Sequence, residues 1–225
     1  MNVVLLVRSY ERPRYLRKTL ESLLESDIDL CIKRYIYDDG SVNKNVLDIF
    51  NNENLINKKG KEFKIVRSNN MGCKQSYIKA LNLIKNDNNN IEDYFICTLD
   101  NDVIVKPDFI SKLNYFYLKA FDIFKTNNIL FTGFNPSNTH LTKIKEYDGF
   151  YRKKTAGGIN FFFHIKFLNF IVNSWQIGDN DHGVNQYMIK NNYPLLCLNK
   201  GVINHIGKHG LWSNGINYDF DRNFT

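Results

Sequence analysis

The chain has 225 residues, 43% of them hydrophobic and 14% aromatic, and 30 Lys and Arg against 23 Asp and Glu give a net charge of +7. That length supports one sizeable domain with a full core. Cys31, Cys73, Cys97 and Cys197 are isolated, which excludes zinc-ligand spacing and argues against a disulfide framework. Basic residues are spread from Arg12-Pro13-Arg14 through Lys58-Lys59-Gly60-Lys61 to Arg152-Lys153-Lys154 with no nucleic-acid motif beside them, so no nucleic-acid partner is expected. An anionic nucleotide ligand or peripheral contact with a membrane fits the charge equally well.

In chain order, Val3 to Val7 predicts a buried strand and Pro13 to Leu24 a helix, with apolar residues at helical spacing and Pro in the first turn. Ile32 to Tyr37 predicts a second strand and Val42 to Ile56 a second helix. Phe63 to Val66, Gly72 to Ile84 and Tyr94 to Leu99 continue as strand, helix and strand, with the Asn-rich stretch Asn86 to Asn90 as a loop. A helix over Pro107 to Phe124 and a strand over Ile129 to Thr132 follow. Beyond Gly133 the period is lost, and longer loops are expected, with a strand at Ile159 to Phe163, a helix near Gly183 to Asn191, and strands at Leu195 to Leu198 and Val202 to Ile206. The composition of Lys143 to Tyr147 and Tyr151 to Lys154 reads as an exposed, basic loop. Ile159 to Val172 is the longest apolar stretch, but His164, Lys166 and Asn169 interrupt it and no transmembrane segment is expected. Met1 to Val7 is too short for a signal peptide, so a cytoplasmic or otherwise soluble intracellular location is expected.

Alternation of strand and helix implies an α/β fold with a mainly parallel sheet, whose strand carboxyl ends line the ligand crevice. Polar clusters stand at those ends: Arg8-Ser9-Tyr10, Asp38-Asp39-Gly40-Ser41, Arg67-Ser68-Asn69-Asn70-Met71-Gly72 and Asp100-Asn101-Asp102. Two aspartates two residues apart after a buried strand repel each other unless a cation lies between them, and oxygen ligands suit Mg²⁺ or Mn²⁺. A solvated turn is the alternative reading of the triplet.

The motifs Val3 to Leu16, Tyr37-Asp38-Asp39-Gly40-Ser41, Asn69-Asn70-Met71-Gly72 and Leu99-Asp100-Asn101-Asp102, in this order, resemble those of nucleotide-sugar glycosyltransferases of the GT-A fold, especially the inverting family 2. The resemblance covers roughly residues 1–110 well and the second half more loosely. It implies a Rossmann-like GT-A domain over residues 1–225, with a donor-binding half at 1–110 and an acceptor and catalytic-base half at 111–225. It further implies a metal-dependent inverting transfer from a UDP-sugar to a hydroxyl of a saccharide, lipid or protein, aided by Mn²⁺ or Mg²⁺.

Residue by residue, the resemblance places the metal on Asp102, the ribose side of the donor and part of the metal shell on Asp100, and the uracil imide on Asp39. Ser9 and Tyr10 would flank the base, Arg67 would approach phosphate, and His205 would add a third metal ligand. The general base falls late in the chain on Asp181, with Asp179 as its rival. A sugar nucleotidyltransferase lacks support because no glycine-rich loop follows the first strand. A nucleotide- or glycan-binding module without catalysis is the other alternative.

Overall fold

The computed structural model describes residues 1–177, 180–210, 213–214, 219–222 and 224. The chain opens with β1 (Val3–Ser9), α1 (Pro13–Leu24), β2 (Cys31–Asp38), α2 (Lys44–Phe50), α3 (Glu53–Ile56), β3 (Lys64–Arg67) and α4 (Gly72–Asp87). It continues through β4 (Phe95–Asp100), β5 (Val103–Val105), α5 (Phe109–Phe124), β6 (Leu130–Thr132), β7 (Lys143–Tyr147), β8 (Phe150–Lys153) and β9 (Asn160–His164). It ends with α6 (Leu168–Ile177), α7 (Asn180–Lys190), β10 (Leu195–Leu198), β11 (Ile203–His205), β12 (His209–Gly210) and β13 (Ser213–Asn214).

Among the described residues, nine strands form one mixed sheet in the order β3-β2-β1-β4-β9-β6-β10-β8-β7. The pairs β3-β2, β2-β1 and β1-β4 are parallel, so the predicted strand–helix units converge their carboxyl ends on one edge. β9 then runs antiparallel to both β4 and β6. Alternating side chains divide the core into two layers. Val3, Leu5 and Val7 join Leu16, Leu20, Phe109 and Phe162 on one face of the sheet, whereas Val4 and Leu6 join Tyr77, Leu81, Phe161 and Trp175 on the other. Burial on both faces explains the near-continuous apolar run of β1.

A second, two-stranded sheet pairs β5 with β11 antiparallel, and His205 lies opposite Val103. The other edge of β5 is held by α1: Val103 N–H donates to Thr19 Oγ1 at 3.1 Å and Val105 N–H to Ser22 Oγ at 3.3 Å. These contacts fix the chain immediately after Asp102.

Several expectations are corrected. The helix over Val42 to Ile56 is two helices, because the side chains of Asn43 and Asn52 each cap a separate start by accepting the N–H of Asn45 at 2.9 Å and of Asn54 at 3.1 Å. The expected exposed, basic loop is the β7–β8 hairpin at the sheet edge. Between β9 and α7 the chain forms α6, a helix that the mixed apolar stretch concealed. No helix among the described residues is long and apolar enough to cross a membrane.

Candidate active site

β1 delivers Arg8 and Ser9, with Tyr10 directly after, to the carboxyl edge of the sheet. Glu11 and Arg12 then adopt φ of 51° and 61°, a left-handed backbone that side chains disfavour. Surrounding bonds hold this reversal. Glu11 N–H donates to Ser41 Oγ at 2.7 Å, Glu11 Oε1 accepts Val42 N–H at 2.8 Å, and Asn101 Nδ2 donates to the Glu11 carbonyl at 3.2 Å. The middle residue of the triplet therefore braces the first loop while its neighbours face the crevice.

Asp39 is buried where β1 and β2 end together; its N–H donates to the Ser9 carbonyl at 2.8 Å and its Oδ1 accepts Met71 N–H at 2.9 Å. Burial raises its pKa above the ordinary carboxylate value, against the opposing N–H bonds of Met71 and Gly72. Gly40, at φ 78°, permits the turn to pass beneath the third loop, because a Cβ there would stand 2.5 Å from Asn70 N. Asp38 faces the other way: it accepts Ser41 N–H at 3.0 Å and Arg67 Nε at 3.2 Å, and Arg67 also reaches the Ser41 carbonyl at 2.6 Å. The guanidinium expected at phosphate is thus engaged in bracing the turn that carries Asp39. Ser9 is buried and Tyr10 is exposed at the mouth of this pocket.

Asp100 and Asp102 each meet an arginine. Arg8 Nη2 pairs with Asp100 Oδ1, and Arg12 Nη1 with Asp102 Oδ2. The β5–β11 pairing brings His205 Nε2 to 3.1 Å from the same Asp102 oxygen, while His205 Nδ1 lies 2.9 Å from the Asp219 carbonyl. That carbonyl accepts Nδ1–H, and in the ionised ring Nε2–H donates to the Asp102 carboxylate. Burial opposes ionisation of both partners, but their hydrogen bond and charges outweigh it: Asp102, also aided by Arg12, is held below its usual range and His205 above its own. Asp100 is pushed up, by burial and by the charge of Asp102, against the pull of Arg8.

The donor set tests whether a hard divalent cation fits. A carboxylate oxygen and an imidazole nitrogen converge, and Gly207 stands in front of them; a Cβ there would lie 2.1 Å from Asp102 Oδ2 and 2.6 Å from His205 Nε2. A side chain at this position is therefore excluded by Asp102, His205 and Arg12. Among the described residues no three His, Cys, Asp or Glu side chains converge into a full ligand shell. Two protein ligands completed by phosphate oxygens and water suit Mg²⁺ or Mn²⁺, and the group fits.

On the far side of the crevice, Asp181 in the first turn of α7 accepts Gly158 N–H at 3.0 Å. Asp179 lies outside the described residues. Trp175, on α6, is buried beneath Gly158 and against Tyr77, so it does not present a face for a sugar. Sequence reasoning assigned no role to Gly207, Gly158 or Arg8; the signals were a glycine soon after a strand-end histidine, a Gly-Gly pair before β9, and a charge at the end of the first strand.

Comparison with known proteins bears on the fold and the family. Residues 5–173 match the family described as Glycosyl transferase family 2. No curated protein sequence matches the chain. A crystal structure of GalNAc-T7 with UDP, GalNAc and Mn²⁺ superimposes with a TM-score of 0.67 at 13% identity, covering 96% of this chain and 45% of that one. Fragment 1–349 of S. aureus TarS gives 0.61 at 14% identity, covering 92% and 61%, and its complex with UDP-GlcNAc gives 0.60 at 15%, covering 94% and 62%. The chain thus spans about three fifths of the TarS fragment and under half of GalNAc-T7. At such identities the likeness establishes the fold, which is GT-A. The match over residues 5–173 establishes the family: this chain belongs to glycosyl transferase family 2.

Proposed function

We propose that the chain is a metal-dependent inverting glycosyltransferase that moves a sugar from a UDP-sugar to a hydroxyl acceptor. The observation that carries this reading is the gathering of Asp39 and the Asp100 to Asp102 triplet at the carboxyl ends of β2 and β4, with His205 brought to Asp102 by β11 and Asp181 linked to Asp100 through Gly158 and Arg8. TarS crystallised with UDP-GlcNAc and GalNAc-T7 with UDP and Mn²⁺ support the choice of donor and cation. Residues 1–110 form the donor half in this reading, and residues 111–225 the acceptor and base half.

Uracil enters between Tyr10 and Asp39, whose carboxylate accepts the imide N–H that cytosine lacks. Arg67 supports this from behind by fixing Asp38 and the turn. Asp100 lies on the ribose side, and Asp102 with His205 would hold the cation, which supplies charge neutralisation to the departing diphosphate. The acceptor oxygen attacks the anomeric carbon from the face opposite the diphosphate. As the new C–O bond forms, the old one breaks with its electron pair leaving on UDP, and the hydroxyl proton passes to Asp181. Asp179 is the alternative acceptor of that proton.

Slow hydrolysis of a panel of nucleotide sugars, which needs no acceptor, tests this reading. Metal-dependent release of UDP from one UDP-sugar, reduced at least a hundredfold in Asp102→Asn, is expected; no release from any donor by a folded wild-type chain would refute it.

A further inference from the structure

Arg8 is a charged residue inside a buried strand. It follows Val4 and Leu6 on the face of β1 that packs against α4 and α6, so its side chain runs into that layer instead of out to water. Its guanidinium lies 4.4 Å from the centre of the Tyr77 ring and 5.6 Å from that of Trp175. Aromatic faces on that side restrict the planar group to one orientation. The Nη2 edge then makes two contacts across the molecule: with Asp100 Oδ1, and with the Gly158 carbonyl at 3.0 Å.

Gly158 carries a bond on each side of its Cα. Its carbonyl accepts from Arg8, and its N–H donates to Asp181 Oδ2 at 3.0 Å. The next carbonyl, of Ile159, accepts Asp100 N–H at 3.0 Å, so the same segment is tied to the triplet twice. Packing is close. A Cβ on Gly158 would stand 3.0 Å from Asp181 Cβ and 3.4 Å from Trp175 Cη2. A lysine ammonium can donate both bonds but lacks the planar face that lies against Tyr77 and Trp175.

We propose that Arg8 is a positioning residue that sets the spacing between the donor carboxylate Asp100 and, through Gly158, the proton-accepting carboxylate Asp181. The inference rests on the glycosyltransferase reading and extends it to a residue that is covered by aromatic rings and acts through its neighbours. A misplacement of about 1 Å in such a constellation is enough to cost on the order of a hundredfold in rate.

The test compares turnover at saturating donor for wild type, Arg8→Lys and Arg8→Met, each with Asp181 intact and with Asp181→Asn. Arg8→Met is expected to lower kcat at least tenfold with Asp181 present and less than twofold in Asp181→Asn, because the position it sets no longer carries the base. Arg8→Lys should recover part of the loss. Gly158→Ala, which leaves Arg8 intact, should reproduce the kcat loss and its dependence on Asp181, and it keeps the test decisive if Arg8→Met does not fold. Equal losses in both backgrounds would mean that Arg8 only maintains the fold, and would overturn the proposal. A folded wild type that neither binds UDP nor releases it from any donor refutes the glycosyltransferase reading itself, and the positioning role falls with it.

Discussion

Gly207→Ala isolates the geometry of the candidate cation site without altering any ligand. Gly207 does not have a positive φ, so its backbone accepts alanine and the perturbation is steric. The added Cβ would stand 2.1 Å from Asp102 Oδ2, 2.6 Å from His205 Nε2 and 2.7 Å from Arg12 Nη2. Carbon and oxygen in ordinary contact lie about 3.3 Å apart or more, so the carboxylate must withdraw by roughly an ångström. The contact of 3.1 Å between His205 and Asp102 cannot survive that movement intact. Disturbing the support that orients metal ligands typically costs about ten- to hundredfold in metal affinity. Mn²⁺ affinity in the presence of UDP, followed by water-proton relaxation, should fall by that factor in Gly207→Ala while the melting transition stays cooperative. An Mn²⁺ affinity within twofold of wild type would refute the assignment of Asp102 and His205 to the cation.

Two further outcomes follow from individual side chains. In Asp39→Asn one oxygen can still accept Met71 N–H, but an NH₂ replaces the second carboxylate oxygen and opposes the uracil imide; UDP affinity should fall at least tenfold and CDP affinity much less, and an unchanged UDP to CDP ratio would remove Asp39 from the base pocket. His164 is held below its ordinary value of 6.5 by burial, against the opposing charge of Asp93, while its Nδ1 accepts Lys166 N–H at 3.2 Å. The folded state therefore favours the neutral ring, so its contribution is present above pH 6.5 and is lost as pH falls through that value toward the lower folded one. Urea midpoints should consequently drop more between pH 7.5 and 5.5 for wild type than for His164→Asn, and equal drops would contradict this assignment.

Much of the first half was legible because buried parallel strands announce themselves. Val3 to Val7 and Tyr94 to Leu99 are continuous apolar runs, each ending in polar residues that the parallel topology gathers on one edge. The second half was less legible for a physical reason. β7 is exposed and lysine-rich, so Lys143 to Tyr147 carries no apolar alternation, and its strand character comes from pairing with β8. α6 was concealed because its buried stripe, Leu168, Ile171, Ser174 and Trp175, is masked by the further apolar residues Phe170, Val172 and Ile177 on its other faces. At the site, the aspartates were visible as residue types and the resemblance offered His205 as a ligand beside Asp102, but the arginine partners were not visible. Arg8 and Asp100 are 92 residues apart and His205 and Asp102 are 103 apart, and only strand register brings them together. Arg67 shows the converse: a basic residue at the right strand end turned to Asp38, because a buried carboxylate there required a partner.

Calorimetric titration of the wild-type chain with UDP, with and without Mn²⁺, tests the central claim most directly. The account predicts binding in the presence of Mn²⁺ that weakens at least tenfold when the metal is removed, and that is lost in Asp102→Asn. UDP affinity that is absent under both conditions, or that is the same with and without metal, would contradict it.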